Sequence, residues 1–399
     1  MIGVIADDLT GAAELGAVGS RHGLRAEIVV KGKPGDEADL VCVDTNSRGC
    51  TPAEAGQRAA AAANLLRHAG ARWIYKKVDS VLRGNVTVEV EAVMNQLGFQ
   101  TALLLPANPA LGRTIEGGKY FVRGKLINRT EFARDPEHPR KSSLVLRLLN
   151  KPKSFPICVC GVKHPLPEAG IVVCEAASTQ DVCRWAGRRD SEKMLVAGGA
   201  EFFGALLTAT GHEVVASPAS LGEVDDAERE LFVCGTTSVS SRKFVSAARV
   251  RRTPVFSLPV ELGWGADFSP AALEAIGRRA VSAYQSHRRV ILNVGLPMAR
   301  ERAAAGRLVA HLARLAEWIL RGVDIGRVYA EGGATAAELM RRMEWSRLTV
   351  LRELSPGVVV LAVAGDESRS LTIKPGSYVW PESILHGNMN ADTPLVEIN

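Results

Sequence analysis

The sequence predicts an α/β protein of two domains, each a mostly parallel sheet flanked by helices. Three observations predict it. The chain has 399 residues, more than one ordinary hydrophobic core holds and about the size of two. Short apolar runs alternate with amphipathic or alanine-rich runs, the pattern of successive βαβ units. One acidic stretch without apolar periodicity, SPASLGEVDDAERE at 217–230, interrupts the pattern before it resumes. The expected division is a first domain over 1–216, a linker over 217–230 and a second domain over 231–399.

In the first domain the strand candidates are Met1–Ala6, Ala26–Val30, Leu40–Val43, Trp73–Lys77 and Thr101–Leu105, and the helix candidates are Thr10–His22, Thr51–His68 and Asn85–Leu97. Thr51-Pro52-Ala53-Glu54 is a helix start, with an N-cap residue followed by Pro at the first helical position. Residues 107–143 are rich in Gly, Pro and Arg, weakly periodic, and expected to be irregular and functional. A βα pattern then resumes to about residue 216. In the second domain the strand candidates are Leu231–Cys234, Val255–Leu258, Val290–Val294, Arg327–Ala330 and Gly357–Ala364.

The composition is 46% hydrophobic and 23% charged, with a net charge of +6. This mildly basic balance suits an anionic small-molecule ligand. Aromatic residues are only 5% of the chain, which argues against base stacking and nucleic-acid partners. No apolar run approaches the ~18 residues of a membrane helix. The first residues lack a basic, then apolar, secretory pattern, so a cytoplasmic protein is expected. Seven cysteines are scattered through the chain. Cys42, Cys158, Cys174 and Cys234 fall in apolar runs and are expected to be reduced and buried.

Strand ends carry the chemistry. In parallel sheets, ligands collect at the carboxyl ends of the strands. Asp7-Asp8, Asp44 through Arg48, Lys76 through Asn85, and Pro106 through Gly118 all follow strand candidates and are expected to converge. Two adjacent carboxylates at the end of a buried strand repel each other, so a positive group or a set of hydroxyls belongs beside them. The stretch from Lys76 combines two Lys, Asp79, Ser80 and Arg83 just before a helix, a grouping suited to an anion. The second half differs. Gly235-Thr236-Thr237-Ser238 and Glu331-Gly332-Gly333-Ala334-Thr335 each place bare backbone N–H groups near a helix start, as phosphate cradles do. Neither is a Walker A loop or G-x-G-x-x-G.

Three stretches carry a resemblance: Asp7-Asp8-Leu9-Thr10-Gly11, Lys76-Lys77-Val78-Asp79-Ser80-Val81-Leu82-Arg83-Gly84-Asn85, and Glu331-Gly332-Gly333-Ala334-Thr335-Ala336. By these, and by Gly112-Arg113-Thr114, Asp135-Pro136 and Ser355-Pro356-Gly357-Val358, the chain resembles the four-carbon acid sugar kinase family over nearly its whole length. The family includes D-threonate, D-erythronate and 3-oxo-tetronate kinases. The resemblance implies a sugar-acid-binding first domain, an ATP-binding second domain and an active site in the cleft between them. It implies transfer of the γ-phosphoryl group of ATP, with Mg2+, to the terminal (C4) hydroxyl of the acid. One of Asp7 and Asp8 would be the base; the sequence does not rank them. Arg83 is the candidate for the substrate carboxylate, with Lys77, Asp79, Ser80, Asn108 and Asp44 nearby. Ser238, Gly332, Gly333, Ala334, Thr335, Gly357 and Gly376 fall where the family contacts the nucleotide. Whichever of Asp7 and Asp8 is not the base would help hold Mg2+. A homo-oligomer is compatible with all of this.

The departures from the family lie mostly in the second half. Ala334 stands where an acid usually precedes the Thr. Val359-Val360 follow Pro356-Gly357-Val358 where the family has Pro and then Gly, which adds bulk near the expected phosphates. Pro375 removes a backbone donor from the last glycine motif. Altered ATP binding is therefore expected, and a non-catalytic or altered-specificity sugar-acid-binding protein that keeps the kinase fold is the second reading.

Overall fold

The computed structural model describes residues 1–135, 138–149, 151–190, 193–215, 228–259, 269–295 and 302–385. In the first half, β1 (Ile2–Ala6), α1 (Leu9–Arg21), β2 (Ala26–Val29), β3 (Leu40–Asp44), α2 (Pro52–His68), β4 (Ile74–Lys77), α3 (Val86–Leu97) and β5 (Thr101–Leu105) alternate as expected. A small antiparallel sheet follows, β6 (Arg113–Glu116), β7 (Lys119–Val122) and β8 (Lys125–Leu126). Then come α4 (Val145–Leu148), β9 (Ile157–Cys160), β10 (Gly170–Cys174), α5 (Thr179–Ala186), β11 (Met194–Gly198) and α6 (Ala200–Ala209). The second half runs β12 (Glu230–Cys234), α7 (Val239–Val250), β13 (Val255–Ser257), α8 (Pro270–Ala283), β14 (Arg289–Asn293), α9 (Arg302–Gly322), β15 (Arg327–Glu331) and α10 (Gly333–Met343). It closes with the meander β16 (Arg347–Ser355), β17 (Val358–Val363), β18 (Asp366–Lys374) and the short α11 (Glu382–Leu385).

The halves share one sheet. Among the described residues its order is β13-β14-β12-β15-β18-β17-β16-β2-β3-β1-β4-β11-β5-β10-β9. The join is β16 against β2, antiparallel, with Arg347 opposite Val29 and Thr349 opposite Glu27. Pairing on either side is parallel apart from the meander. Helix α1 straddles the join. A Cβ on Gly19 would lie 2.1 Å from Leu40 of β3, and one on Gly16 would lie 2.9 Å from Val350 of β16. The two glycines let the helix lie close to strands from both halves.

The helix starts follow from their caps. Thr51 and Glu54 form a reciprocal capping box with Pro52 at the first turn. Asp8 caps α1 by accepting from the Gly11 N–H, and Ser238 caps α7 by accepting from Ser241.

Four expectations need correction. Residues 107–143 are not irregular throughout: Gly117-Gly118 and Arg123-Gly124, all at positive φ, turn three short strands into a sheet. Cys158 is exposed, because β9 is the last strand of the main sheet and one of its faces is open; Cys42, Cys174 and Cys234 are buried, and all seven thiols are free. The expected linker lies mostly outside the described residues, but its last residue, Glu230, is the first of β12. Val359 and Val360 are inside β17, and both are buried, so their bulk goes into the core.

Gly198 ends β11 against β5. A Cβ there would lie 2.2 Å from the Leu105 carbonyl oxygen, a backbone atom that cannot move aside. The Gly198 carbonyl also accepts from the Val78 N–H at 3.0 Å and so fixes the chain just before Asp79. Gly198→Ala is expected to cost about 1–3 kcal/mol of stability, read as a lower urea midpoint.

Candidate active site

Strands β3, β1, β4 and β5 end side by side or one strand apart, and their carboxyl ends bring Asp44, Asp7, Asp8, Asp79 and Asn108 to one edge. The repulsion between Asp7 and Asp8 is relieved by Arg48. Its Nε and Nη2 reach the two Asp7 oxygens at 2.7 and 3.0 Å, and its Nη1 reaches Asp8 Oδ2 at 2.6 Å. Asp79 Oδ1 lies 4.0 Å away on the other side. Burial raises the Asp7 pKa, but the Arg48 charge and hydrogen bonds, helped by Lys76, outweigh it and hold the carboxyl below its ordinary value. Burial lowers the Arg48 pKa, yet three neighbouring carboxylates lift it well above normal. Asp8 is further held by Thr10, whose hydroxyl donates to Oδ2 at 2.6 Å.

Asp79 organises the next turn. Its carboxylate accepts from the N–H groups of Val81 (3.0 Å) and Arg83 (3.2 Å) and from Arg83 Nη2 at 2.8 Å. Burial raises its pKa, but Arg83 and Arg48 outweigh this and hold the group far below the usual carboxylate range. Leu82 is held at φ +64 within this turn and is buried. Strained non-glycine backbone of this kind clusters at functional sites. Arg83 Nη1 also meets Asp135 at 3.3 Å. The Arg83 fork is therefore engaged by protein carboxylates. Lys77 is buried beside Glu14, 3.2 Å away, and Lys76 beside Glu89, 2.8 Å away. Ser80 Oγ accepts from Arg113 Nη1, and the Ser80 carbonyl accepts from the Tyr120 hydroxyl. Asn108 caps the turn before Arg113 through its Oδ1, which accepts from the Leu111 N–H at 3.2 Å.

Asp44 is the exception among these acids. Oδ1 accepts from the Asn46 N–H at 2.8 Å, and Oδ2 is buried without a hydrogen-bond partner. Burial first, then the Asp8 and Asp7 charges, push its pKa to about 7. Asp44 lines a cleft of ≈ 880 Å³ walled by both halves, with Lys31 and Arg58 on one side and Ala334, Arg341 and Trp345 on the other.

In the second half three loops meet at the carboxyl ends of the neighbouring strands β12, β15 and β18. Ser238 Oγ donates to the Gly376 carbonyl at 2.7 Å. The Gly332 N–H donates to the Lys374 carbonyl at 2.9 Å. Gly235 abuts Thr335 so closely that a Cβ would lie 1.9 Å from the Thr335 hydroxyl oxygen. Gly332 has φ +92 and Gly357 φ +79, conformations that favour glycine. Behind the loops, Lys374 and Glu331 form a fully buried pair 3.2 Å apart, and Ser241 donates to Glu331. A second cavity of ≈ 440 Å³ opens beside Thr236, Arg242, Asn293 and Gly295, where Asn293 Oδ1 is buried without a partner. Ala334 is exposed into the larger cleft.

The two groups touch. A Cβ on Gly333, the first residue of α10, would lie 3.4 Å from Asp8 Oδ2 and 3.3 Å from Thr10. Thus the Asp8 carboxylate faces the N-terminus of a helix from the other half of the chain, where backbone N–H groups attract anions. Sequence reasoning singled out Asp7, Asp8, Asp44, Asp79, Ser80, Asn108 and Lys77 in the first half, and all lie along the one edge. It named Arg48 in a polar run but gave it no role, because nothing local shows that it reaches back some forty residues to the acid pair. Arg113 was likewise named within a polar stretch without a role of its own, and Asn293 was not singled out.

A model of a sugar-binding N-terminal domain matches residues 2–206, and one of a nucleotide-binding C-terminal domain matches residues 231–378. The chain belongs to the four-carbon acid sugar kinase family. It is 27% identical to a D-threonate kinase of Cupriavidus necator, over 96% of each chain. It is 26% identical to a 3-oxo-tetronate kinase of Pseudomonas fluorescens, over 95% of this chain and 94% of that one. A D-threonate kinase of Salmonella typhimurium is 36% identical over 158 residues, 39% of this chain and 37% of its own length. A solved Salmonella typhimurium LT2 structure superposes with a TM-score of 0.76 at 21% identity, over 96% of this chain and 97% of its own. It shares the fold of this kinase-family chain. No helix among the described residues is long and apolar enough to cross a membrane.

The Asp44 environment gives a pH signature. Folding raises this acid's pKa from about 4 to about 7, so the folded state binds the proton more tightly. The stability this gives is full at low pH and is lost as pH rises through that window. Asp44→Asn is expected to remove the loss. The variant's Tm minus the wild-type Tm should grow from about pH 4 to about pH 7; a constant difference would contradict the assignment.

Proposed function

We propose that this chain is an ATP-dependent kinase that phosphorylates the C4 hydroxyl of a four-carbon sugar acid such as D-threonate, D-erythronate or 3-oxo-tetronate. The observation that carries the reading is the contact of Asp8 and Thr10 with Gly333. It supports a γ-phosphoryl group at the N-terminus of α10 with a carboxylate facing it. Asp8 then accepts the proton of the attacking hydroxyl while a new P–O bond forms and ADP leaves. Asp7, gripped bidentately by Arg48, stays ionised and holds that guanidinium against Asp8. The loops of Gly235–Ser238, Gly332–Thr335 and Gly376 would take the phosphates, and the cavity beside Thr236 and Asn293 would take the nucleoside part. Gly357 supports that edge by its positive φ.

Mg2+ bound with the nucleotide neutralises charge on the phosphate oxygens. Mg2+ favours one or two carboxylates plus phosphate oxygens. Asp44 fits that requirement best, because its Oδ2 has no partner while Asp7 is engaged by Arg48. At the departures, Gly376 packs against Thr236 and the Pro375 carbonyl accepts from Lys374 Nζ at 3.3 Å.

A coupled ADP-release assay with Mg-ATP and the D- and L-forms of threonate and erythronate, with the 2-oxo and 3-oxo tetronates, tests the reading. Turnover of one acid is expected. Asp8→Asn should lower kcat by ~10²-fold or more while the acid still binds. An unchanged kcat would remove Asp8 from the role of base. Tight binding of an acid without any ADP release would make the chain a sugar-acid-binding protein that keeps the kinase fold.

A further inference from the structure

A four-carbon acid brings a carboxylate into a site already crowded with acids, so it needs a cation that is not already neutralised. Four of the cations at the site are paired. Arg48 serves Asp7 and Asp8. Arg83 serves Asp79 at 2.8 Å and Asp135 at 3.3 Å. Lys77 serves Glu14, and Lys76 serves Glu89. Among the described residues Arg140 forms no ion pair, but its Nε and Nη1 each donate to a carbonyl, of His138 and Leu82, both at 2.7 Å. It is buried and braces the turn that Asp79 caps.

Arg113 is different. Among the described residues it forms no ion pair. Its Nη1 donates to Ser80 Oγ, and its guanidinium carbon lies 6.0 Å from the Phe132 ring centre. It is only half-buried, so guanidinium arms remain available. Its backbone is fixed: Arg113 and Asn108 exchange N–H···O bonds at 3.0 and 2.8 Å, and Gly112 at φ +68 makes the turn between them. Ser80 links it to the catalytic edge, because the adjacent Asp79 sits beside Arg48, which holds Asp8.

Resting on the kinase reading above, we infer that Arg113, with Ser80 and Asn108, receives the carboxylate of the substrate and sets the preference for an acid over a neutral analogue. Arg83 is a positioning residue. Drawing its fork to a ligand would take from the buried Asp79 its nearest cation and leave only backbone donors and the more distant Arg48, which is costly. A planar fork that no carboxylate holds, with an aromatic ring beside it, can turn its remaining arms to a ligand carboxylate without that cost.

The test compares wild type, Arg113→Ala and Arg113→Lys by calorimetry, against the acid that wild type prefers and against the neutral amide of that acid. KM values for acid and ATP are measured alongside. Arg113→Ala is expected to weaken acid binding and raise acid KM on the order of 10²-fold, with ATP KM unchanged. It should bind the acid and the amide about equally. Arg113→Lys should recover part of the preference. A variant with wild-type Tm that still prefers the acid over the amide overturns the inference, as does equal weakening of acid and ATP. If wild type binds an acid without turning it over, the kinase reading fails, but the binding comparison still decides Arg113. If wild type binds none of the acids, both fail. Arg83→Ala supplies the contrast: a lowered Tm is expected because Asp79 loses its partner, and loss of acid preference at unchanged Tm would return the role to Arg83.

Discussion

The site depends on one guanidinium. Two adjacent aspartates at the end of a buried strand would otherwise repel each other and draw water into the core. Arg48 meets both, with two arms on Asp7 and one on Asp8. A planar fork meets one carboxylate with two arms side by side and the next with a third. The consequence reaches further than neutralisation. Asp7 is locked, whereas Asp8 is held at one oxygen by Arg48 and Thr10 and at the other by a backbone N–H. The two acids thus become chemically distinct although the sequence presents them as equals. Asp8 is the one that meets Gly333 of the other half.

That meeting joins the two halves, and the fold holds them through a continuous sheet. Strand β16, which belongs to the second half by sequence, pairs with β2 of the first. Helix α1, which begins at Asp8, lies across the join on its small residues, with Gly16 against Val350. The same helix therefore presents the carboxylate at one end and grips the partner half along its length. The β16–β2 ladder and the packing of α1 thus hold the two walls of the large cleft together.

How far the sequence told this in advance depends on the range of the interaction. Local signals were legible: the capping box at Thr51 and Glu54, the alternation of strands with helices, and the acids and glycines at strand ends. These depend on residues a few positions apart. The meander of β16 and β18 was not, because their alternating polar residues give weaker runs than the buried parallel strands. The exposure of Cys158 was not, because an apolar run does not say whether its strand is central or last. Most of all, the partners of each charge were not. Arg83 looked like a ligand for an anion because it follows two lysines and precedes a helix. Its fork closes instead on Asp79, four residues earlier.

The distribution of partners separates structure from chemistry at this edge. A buried ion pair with every arm matched fixes a turn, and breaking it costs more than a ligand returns. Groups left incompletely matched are the ones a ligand can complete. Among the described residues of this edge they are spaced: Arg113 at one end, Asp44 Oδ2 beside the large cleft, Asn293 Oδ1 beyond the glycine loops. Asp8 and the N-terminus of α10 lie among them. In the proposed reaction, a cation, an unpartnered carboxylate oxygen, a facing carboxylate and a helix N-terminus would answer to a substrate carboxylate, a divalent cation, an attacking hydroxyl and a phosphate. The selectivity of the site then lies in which of its charges the fold has left unsatisfied.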